Sequence, residues 1–191
     1  TELIRSAHRL LMRKSSLCQR IAAIRGWSIE TLKKFRIGWD SDERRTIIPI
    51  FNLVGLCLDI RLHDSIGKAS LVNGRRVPAK GTKWSHTGDW YPINPRHNPF
   101  SSEEIWIVEG EPDAILATQD GLNCITITGG AGAWKSLDHE KLKAFASKHV
   151  VICLDNDTAG RDAAKHLCER LTSVGVSSLK NLVVPEGKDV T

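Results

Sequence analysis

The stretch IWIVEGEPDAILATQDGLNCITITGG, residues 105–130, sets the pattern of the second half of the chain. Two short apolar runs, 105–108 and 124–127, flank a segment of helical period with a proline in its first turn. The alternation continues with apolar runs at 150–154 and 182–184 and with helices predicted at 112–119, 137–146 and 159–171. Short apolar strands separated by helices are typical of a parallel sheet covered on both faces. The sequence therefore predicts an α/β fold with a parallel central sheet.

The composition is that of an ordinary globular protein. Of 191 residues, 41% are apolar and 26% are charged, which excludes a disordered tail and a fibrous repeat. Apolar runs stay well short of the roughly 18 residues of a membrane span, so we expect no membrane association. The five cysteines form no CxxC pair, which favours a reducing, cytoplasmic compartment and argues against zinc. The net charge of +5 permits a polyanionic partner.

The first hundred residues differ in kind from the rest. Helices are predicted near 3–14, 15–24 and 28–35, followed by a β-hairpin of 45–51 and 55–62. A loop-rich stretch of Gly, Pro, Trp and basic residues then leads to a linker. We therefore predict a smaller mixed α+β subdomain, 1–100, ahead of the α/β domain, 101–191. Because the chain begins at Thr1 and stops just after a strand-like run, we expect a fragment of a longer polypeptide.

Acidic residues follow two of the predicted strands directly. Glu109 comes after the first strand, and Asp155 and Asp157 come after the third. The carboxyl ends of parallel strands meet at one edge, so these carboxylates should converge and repel one another unless a cation is bound. Oxygen ligands of this kind suit Mg²⁺. Taken singly, each acid is weak evidence, because acids at strand ends are common turn and N-cap residues, and Asp157 alone would most often be structural. The combination of the three acids favours a metal site over a structural role.

The turn Thr128-Gly129-Gly130-Ala131-Gly132 follows the second strand. Its glycines can bring backbone amides near a phosphate, or they can simply form a tight turn. It lacks the Gly-Lys-Ser/Thr of a P-loop, so no ATPase site is predicted.

Two motifs, Ile-Val-Glu-Gly-Glu-Pro-Asp-Ala at 107–114 and Leu-Asp-Asn-Asp-Thr-Ala-Gly-Arg-Asp-Ala-Ala at 154–164, resemble the TOPRIM domain of bacterial-type primases, topoisomerases and certain nucleases. The resemblance covers about residues 103–191 and implies a Rossmann-like fold. It implies a catalytic metal site of Glu109, Asp155 and Asp157, joined by Asp189. It also implies substrate contacts from Asp113, Arg161 and Lys188. The family's usual small residue within the D-x-D is replaced here by Asn156.

The segments 26–38, GWSIETLKKFRIG, and 45–51, RTIIPIF, resemble the N-terminal subdomain of the bacterial and phage primase catalytic core. This resemblance implies a DNA primase, a nucleotidyltransferase that makes short RNA primers for DNA replication. Mg²⁺, or Mn²⁺ in its place, is the implied cofactor. The implied partners are a single-stranded DNA template, nucleoside triphosphates and a replicative helicase, on the same chain or separate from it.

A cluster of basic residues lies in the loop-rich stretch, and its members are Arg75, Arg76, Lys80 and Lys83. Trp84 and Trp90 lie close by, and cations interleaved with aromatic rings suit single-stranded nucleic acid. We predict template binding by the four cations and Trp84. The alternative is a solvated loop whose tryptophans pack inward, and for the tryptophans it is the slightly better explanation.

Two other functions remain open. A TOPRIM nuclease would use the same metal to activate water, and a non-catalytic module would only bind nucleic acid. The primase-like first half argues against the nuclease, and the acidic triad argues against the inert module. A topoisomerase is less consistent with the sequence, because its chemistry needs a nucleophilic tyrosine, usually from another domain, and the single tyrosine, Tyr91, lies in a Pro-rich loop.

Overall fold

The structure is a computed structural model that describes residues 2–64, 71–72, 75–76, 80–82, 84 and 88–185. The chain divides into two compact units, Thr1–His86 and Thr87–Thr191. Each unit has its own main sheet, and the two main sheets are of different kinds. The predicted combination of a mixed α+β part and an α/β part is confirmed.

The first unit combines three helices with an antiparallel sheet. The helices are α1 (Glu2–Arg13), α2 (Ser15–Arg25) and α3 (Ile29–Lys34). The strands are β1 (Gly38–Asp40), β2 (Arg45–Phe51), β3 (Cys57–His63), β4 (Leu71–Val72), β5 (Arg75–Arg76) and β6 (Lys80–Thr82). The main sheet has the order β1-β2-β3-β6, and β4 pairs with β5 separately. The predicted hairpin is therefore the centre of this sheet.

The second unit alternates strands and helices. Its strands are β7 (Trp90–Tyr91), β8 (Glu104–Val108), β9 (Cys124–Ile127), β10 (His149–Cys153) and β11 (Ser178–Asn181). Its helices are α4 (Glu111–Gln119), α5 (Ala131–Ser136), α6 (His139–Leu142) and α7 (Thr158–Ser173), with 3-10 turns at Pro99–Ser101 and Lys143–Phe145. Among the described residues, no helix has both the length and the apolar character that crossing a bilayer requires.

The sheet of the second unit has the order β11-β10-β8-β9-β7. Strands β8 to β11 run parallel, whereas β7 is antiparallel to β9. The chain moves from β8 outward to β9 and then crosses back to β10 on the other side of β8. The topological switch point therefore lies between β8 and β10, and ligands of open α/β sheets bind at the carboxyl ends of the strands beside such a point.

Aromatic side chains extend the core of the second unit beyond its parallel strands. Trp90 contacts Phe100, Trp134 and Phe145, with ring centroids 5.3, 5.9 and 5.7 Å apart. Residues near 90 and 100 therefore belong to this unit. The predicted boundary near residue 100 falls inside it, because the loop-rich composition of this stretch did not reveal strand β7.

Two other local predictions differ from the structure. The predicted strand 182–184 is wrong, because β11 ends at Asn181 and Leu182 and Val183 are exposed. As an edge strand, β11 has largely exposed side chains, so apolar character did not mark it. The glycine turn continues directly into helix α5, which was not predicted, since glycine disfavours helices.

Replacing Phe145 by Ala should destabilise the second unit by about 3–5 kcal/mol, because its fully buried ring fills the aromatic cluster. Leu122→Ala is the control, since Leu122 is 38% exposed and its loss should change stability by less than about 0.5 kcal/mol. Denaturant unfolding of both variants measures the difference. Equal stabilities would show that the aromatic cluster does not stabilise this unit.

Candidate active site

Glu109 and Asp155 follow the carboxyl ends of the two central strands. Glu109 directly follows Val108, the last residue of β8, and Asp155 follows Leu154, the first residue after β10. The register of the two strands aligns Val108 with Cys153, so both acids emerge at the same edge of the sheet. The structure thus brings these two predicted residues together at the switch point.

A short set of contacts fixes Glu109. Its carboxylate Oε2 accepts a hydrogen bond from the backbone N–H of Asp155 at 3.3 Å. Its carbonyl oxygen accepts another from the hydroxyl of Thr126, on the neighbouring strand β9, at 2.9 Å. The ends of β8, β9 and β10 are therefore joined through Glu109.

Gly160, in the first turn of α7, packs directly against both acids. A Cβ at this position would overlap the carbonyl oxygen of Asp155 and would lie 3.0 Å from Oε2 of Glu109. Only glycine permits this approach. Gly160, three residues after the D-x-D, therefore determines how closely α7 approaches the end of the sheet.

Asp157 is the N-cap of α7. Its Oδ1 accepts a hydrogen bond from the backbone N–H of Gly160 at 2.7 Å, while the residue is otherwise exposed. The sequence raises an N-cap as the structural alternative for Asp157, and the structure shows this cap. The capping side chain lies at the same edge as Asp155, two residues away, so capping the helix is compatible with a metal-binding role for Asp157.

Asn156 and Arg161 link the D-x-D loop to two other segments. The guanidinium of Arg161 donates to the carbonyl oxygen of Asn156 at 2.8 Å and to its Oδ1 at 3.0 Å. The Nδ2 of Asn156 donates to the carbonyl oxygen of Val184 at 2.8 Å. Asn156 thus ties the loop to the segment that follows β11. Its role was missed because, in the sequence, it was only a departure from a small residue.

Of the other predicted substrate contacts, Asp113 lies within the described residues and Lys188 does not. Asp113 accepts a hydrogen bond from the backbone N–H of Gly110 at 3.0 Å and so stabilises the start of α4. Lys188 and Asp189 lie outside the described residues, as does Lys83.

The predicted template-binding residues lie in the first unit. Arg75 and Arg76 form β5, and Lys80 begins β6. Trp84 is 44% exposed, and its backbone N–H donates to Oδ1 of Asp59 at 3.0 Å. Trp90 instead packs in the core of the second unit. The inward-packing alternative therefore holds for Trp90 and not for Trp84.

Neither the tyrosine nor the buried cysteines are suited to nucleophilic chemistry. Burial raises the pKa of Tyr91 well above its ordinary value, and the nearby Glu111 raises it further. Burial likewise raises the pKa of Cys124 to about 11. Cys153 also has a raised pKa, from burial first and then from Asp113 and Asp155. These groups remain protonated near neutral pH and cannot act as anionic nucleophiles there.

The donor atoms at the edge fit magnesium rather than zinc. Within the part of the chain that the structure describes, no three His, Cys, Asp or Glu side chains form a cluster that could hold a metal ion, so the predicted convergence of Glu109, Asp155 and Asp157 as one group of ligands is not observed. Mg²⁺ does not need such a cluster, because proteins commonly bind it through one or two carboxylates together with water and substrate phosphates. Glu109 and Asp155, which follow neighbouring parallel strands, carry carboxylates of this kind.

Comparison with known protein families supports the resemblance to the TOPRIM domain that the sequence motifs of the second unit indicate. Residues 106–191 match the family model described as Toprim-like. The matched range contains all four parallel strands except the start of β8, and it includes Glu109, Asp155 and Asp157.

Similarity to primases extends over the first unit as well. The DNA primase of Geobacillus stearothermophilus is 25% identical over 202 residues, which cover 85% of this chain and 33% of that primase. The Aquifex aeolicus primase structure, with its zinc binding and RNA polymerase domains, matches 98% of this chain and 55% of that chain, with a TM-score of 0.75 and 17% identity. The DnaG primase catalytic domain bound to single-stranded DNA matches 100% of this chain and 74% of that chain, with a TM-score of 0.61 and 18% identity.

At these identities the solved structures establish a common fold, and the chain spans only part of each relative. Residues 106–191 thus match the Toprim-like family model, and the chain as a whole shares the fold of the solved primase structures to which it is similar.

Proposed function

We propose that this chain is the catalytic core of a DNA primase, which joins ribonucleotides into a short primer on a single-stranded DNA template in the cytoplasm. The observation that carries the proposal is the pairing of Glu109 with Asp155 at the switch point of a Toprim-like sheet. The primase-core fold over nearly the whole chain adds support, because it includes the first unit and not the Toprim-like domain alone.

In the proposed reaction, the 3′-hydroxyl of one nucleotide attacks the α-phosphorus of the next, a new P–O bond forms, and pyrophosphate leaves. Glu109, Asp155, Asp157 and Asp189 would hold Mg²⁺, with Mn²⁺ as a substitute. When bound, the metal supplies Lewis-acid stabilisation of the negative charge that develops on the phosphate. No protein nucleophile is required, which agrees with the protonated state of Tyr91 and Cys153.

The residues of the chain itself position the acidic groups of the site. Gly160 lets α7 hold Glu109 and Asp155 together, and Arg161 fixes the loop between Asp155 and Asp157. Positioning of this kind accounts for a large part of catalysis in phosphoryl transfer. Asp113, Arg161 and Lys188 are the proposed contacts to the nucleotide, and a replicative helicase is the proposed protein partner.

The first test incubates the protein with single-stranded DNA, labelled nucleoside triphosphates and Mg²⁺ or Mn²⁺. We expect template-dependent extension products, and Glu109→Gln should reduce them by at least about a hundredfold, since the amide is a much poorer metal ligand. Glu140→Gln is the matched control, because Glu140 is an exposed residue of α6. Cleavage of the DNA would favour the nuclease, and binding without either product would favour the non-catalytic module.

The second prediction separates the two roles of Asp157. Asp157→Asn should abolish synthesis but keep the fold, because asparagine caps a helix about as well as aspartate. Asp157→Ala should also abolish synthesis and should lower the free energy of unfolding by about 1 kcal/mol, because the hydrogen bond to Gly160 is removed. Primer assays and denaturant unfolding measure both. Full activity of Asp157→Asn would contradict the metal-binding role.

The third prediction concerns the template. Replacing Arg75, Arg76, Lys80 and Lys83 by Ala should weaken single-stranded DNA binding and flatten its salt dependence, by about 0.7 in slope for each phosphate that is no longer neutralised. A control removes four exposed charges from α1, α2 and the residue between them: Arg5, Arg13, Lys14 and Arg20. Binding measured at several salt concentrations decides. An unchanged slope would show that these four cations do not contact the template.

A further inference from the structure

The second unit contains a cavity of about 490 Å³ beside its glycine turn. Its walls include Gly129, Gly132, Ala133, Ser136, Leu137 and Lys141. Ligand pockets commonly have volumes of about 300–1,000 Å³, so this cavity is large enough for a nucleoside. The metal site described above uses none of these residues.

The cavity is held open by a framework of hydrogen bonds. Gly88 and Asp89 are joined to Thr128 by three bonds of 2.9 to 3.0 Å, which place them beside the end of β9. The ammonium group of Lys141 donates to the carbonyl oxygen of Gly88 at 2.7 Å and closes one side. Gly129 has a φ of +111°, a conformation that side chains rarely adopt, so the wall at this point is backbone alone.

The lining chemistry suits a nucleoside better than a bare anion. Glycine backbone, Ala133 and Leu137 give apolar surface, against which a base or a ribose can pack. Lys141 supplies hydrogen-bond donors, while the hydroxyl of Ser136 and the carboxylate of Asp138 supply acceptors. A site for phosphate alone would not place a carboxylate in its wall, because like charges repel.

The cavity lies at the same edge of the sheet as the carboxylates. Strand β9 runs parallel to β8, with Ile125 aligned with Ile107. Extending this register places Ile127 level with Glu109, and Gly129 two residues further out. Because neighbouring strands are about 4.8 Å apart, the glycine wall begins close to the acidic edge. A nucleoside triphosphate is long enough to reach from one to the other.

We propose that this cavity receives the base and ribose of the nucleoside triphosphate whose phosphates are held at the Glu109–Asp155 edge. The proposal rests on the proposed primase function and adds the place where the nucleoside is recognised. The glycine turn, which the sequence left open between a phosphate loop and a tight turn, then serves as a backbone wall for the nucleoside.

Gly132 offers a direct test. Gly132 lines the cavity, and a Cβ at this position would meet no atom within 4 Å, so a side chain can be introduced at this wall without a clash or backbone strain. Gly132→Leu should raise the dissociation constant for a non-hydrolysable nucleoside triphosphate, measured with template and Mg²⁺, at least tenfold. It should leave the affinity for inorganic tripolyphosphate unchanged, because only the nucleoside is excluded. Gly132→Ala, with one small methyl group, should show a much weaker effect.

Lys141→Met provides an independent variant in case Gly132→Leu disturbs folding, which thermal unfolding will show. It should weaken nucleoside triphosphate binding at least threefold and raise KM with little change in kcat. Lys143→Met is the matched control, since exposed Lys143 pairs with Glu140 at 2.7 Å and does not line the cavity. If folded Gly132→Leu and Lys141→Met both bind the nucleotide normally, the cavity is not the nucleoside site.

The outcomes also separate this proposal from the proposed function. If the parent protein makes primers and both cavity variants have an unchanged KM, the proposed nucleoside site is wrong and the proposed primase function stands. If the parent protein makes no primers but Gly132→Leu weakens its nucleotide binding, the proposed primase function is wrong and the proposed nucleoside site is supported. Equal weakening of tripolyphosphate and nucleoside triphosphate would overturn nucleoside recognition, because it would assign the cavity to phosphate.

Discussion

The first turn of α7 lies so close to the end of β10 that only a hydrogen atom fits on the inner side of Gly160. This contact determines the distance between the helix and the sheet edge where Glu109 and Asp155 meet. Any side chain at this position would move the helix or the carbonyl group of Asp155. The Asp157 cap and the Arg161 bonds to Asn156 then fix the short loop between β10 and α7 from the other side. The geometry of the acidic edge therefore depends on glycine at position 160 as much as on the carboxylates.

The same arrangement explains how one edge can carry several acids. Backbone N–H groups solvate part of their charge: Asp155 donates to Glu109, Gly160 to Asp157, and Gly110 to Asp113. Hydrogen bonds from backbone donors to ionised carboxylates are stronger than those between neutral groups. Asp157 and Asp113 also lie at the N-terminal ends of α7 and α4, where the helix dipole favours negative charge. Local backbone donors therefore stabilise these carboxylates before any cation binds.

The sequence was sufficient for the central strands and the acids at their ends, and insufficient for the periphery. Strands β8, β9 and β10 are buried, so their apolar runs identify them and locate Glu109 and Asp155. Edge strands are marked by backbone pairing rather than by burial, which is why β7 was missed and β11 was placed four residues too late. Asn156 could not be interpreted from the sequence, because its partners, Arg161 and the Val184 carbonyl, are known only once the chain is folded.

Because Asn156 joins the D-x-D loop to Val184, the acidic edge has a connection to the end of the parallel sheet that strand pairing alone would not give. Among the described residues, β11 pairs with β10 alone and exposes most of its side chains, and beyond it the backbone N–H of Leu182 donates to the carbonyl oxygen of Ile152 at 2.8 Å. The amide hydrogen bond of Asn156 adds a second link, directly between the D-x-D loop and the segment that follows β11. An aspartate at position 156 would remove the donor and add a negative charge between two carboxylates, whereas a small residue would remove the donor alone. Asparagine at position 156 therefore joins the D-x-D loop to the segment after β11 without adding negative charge to the acidic edge.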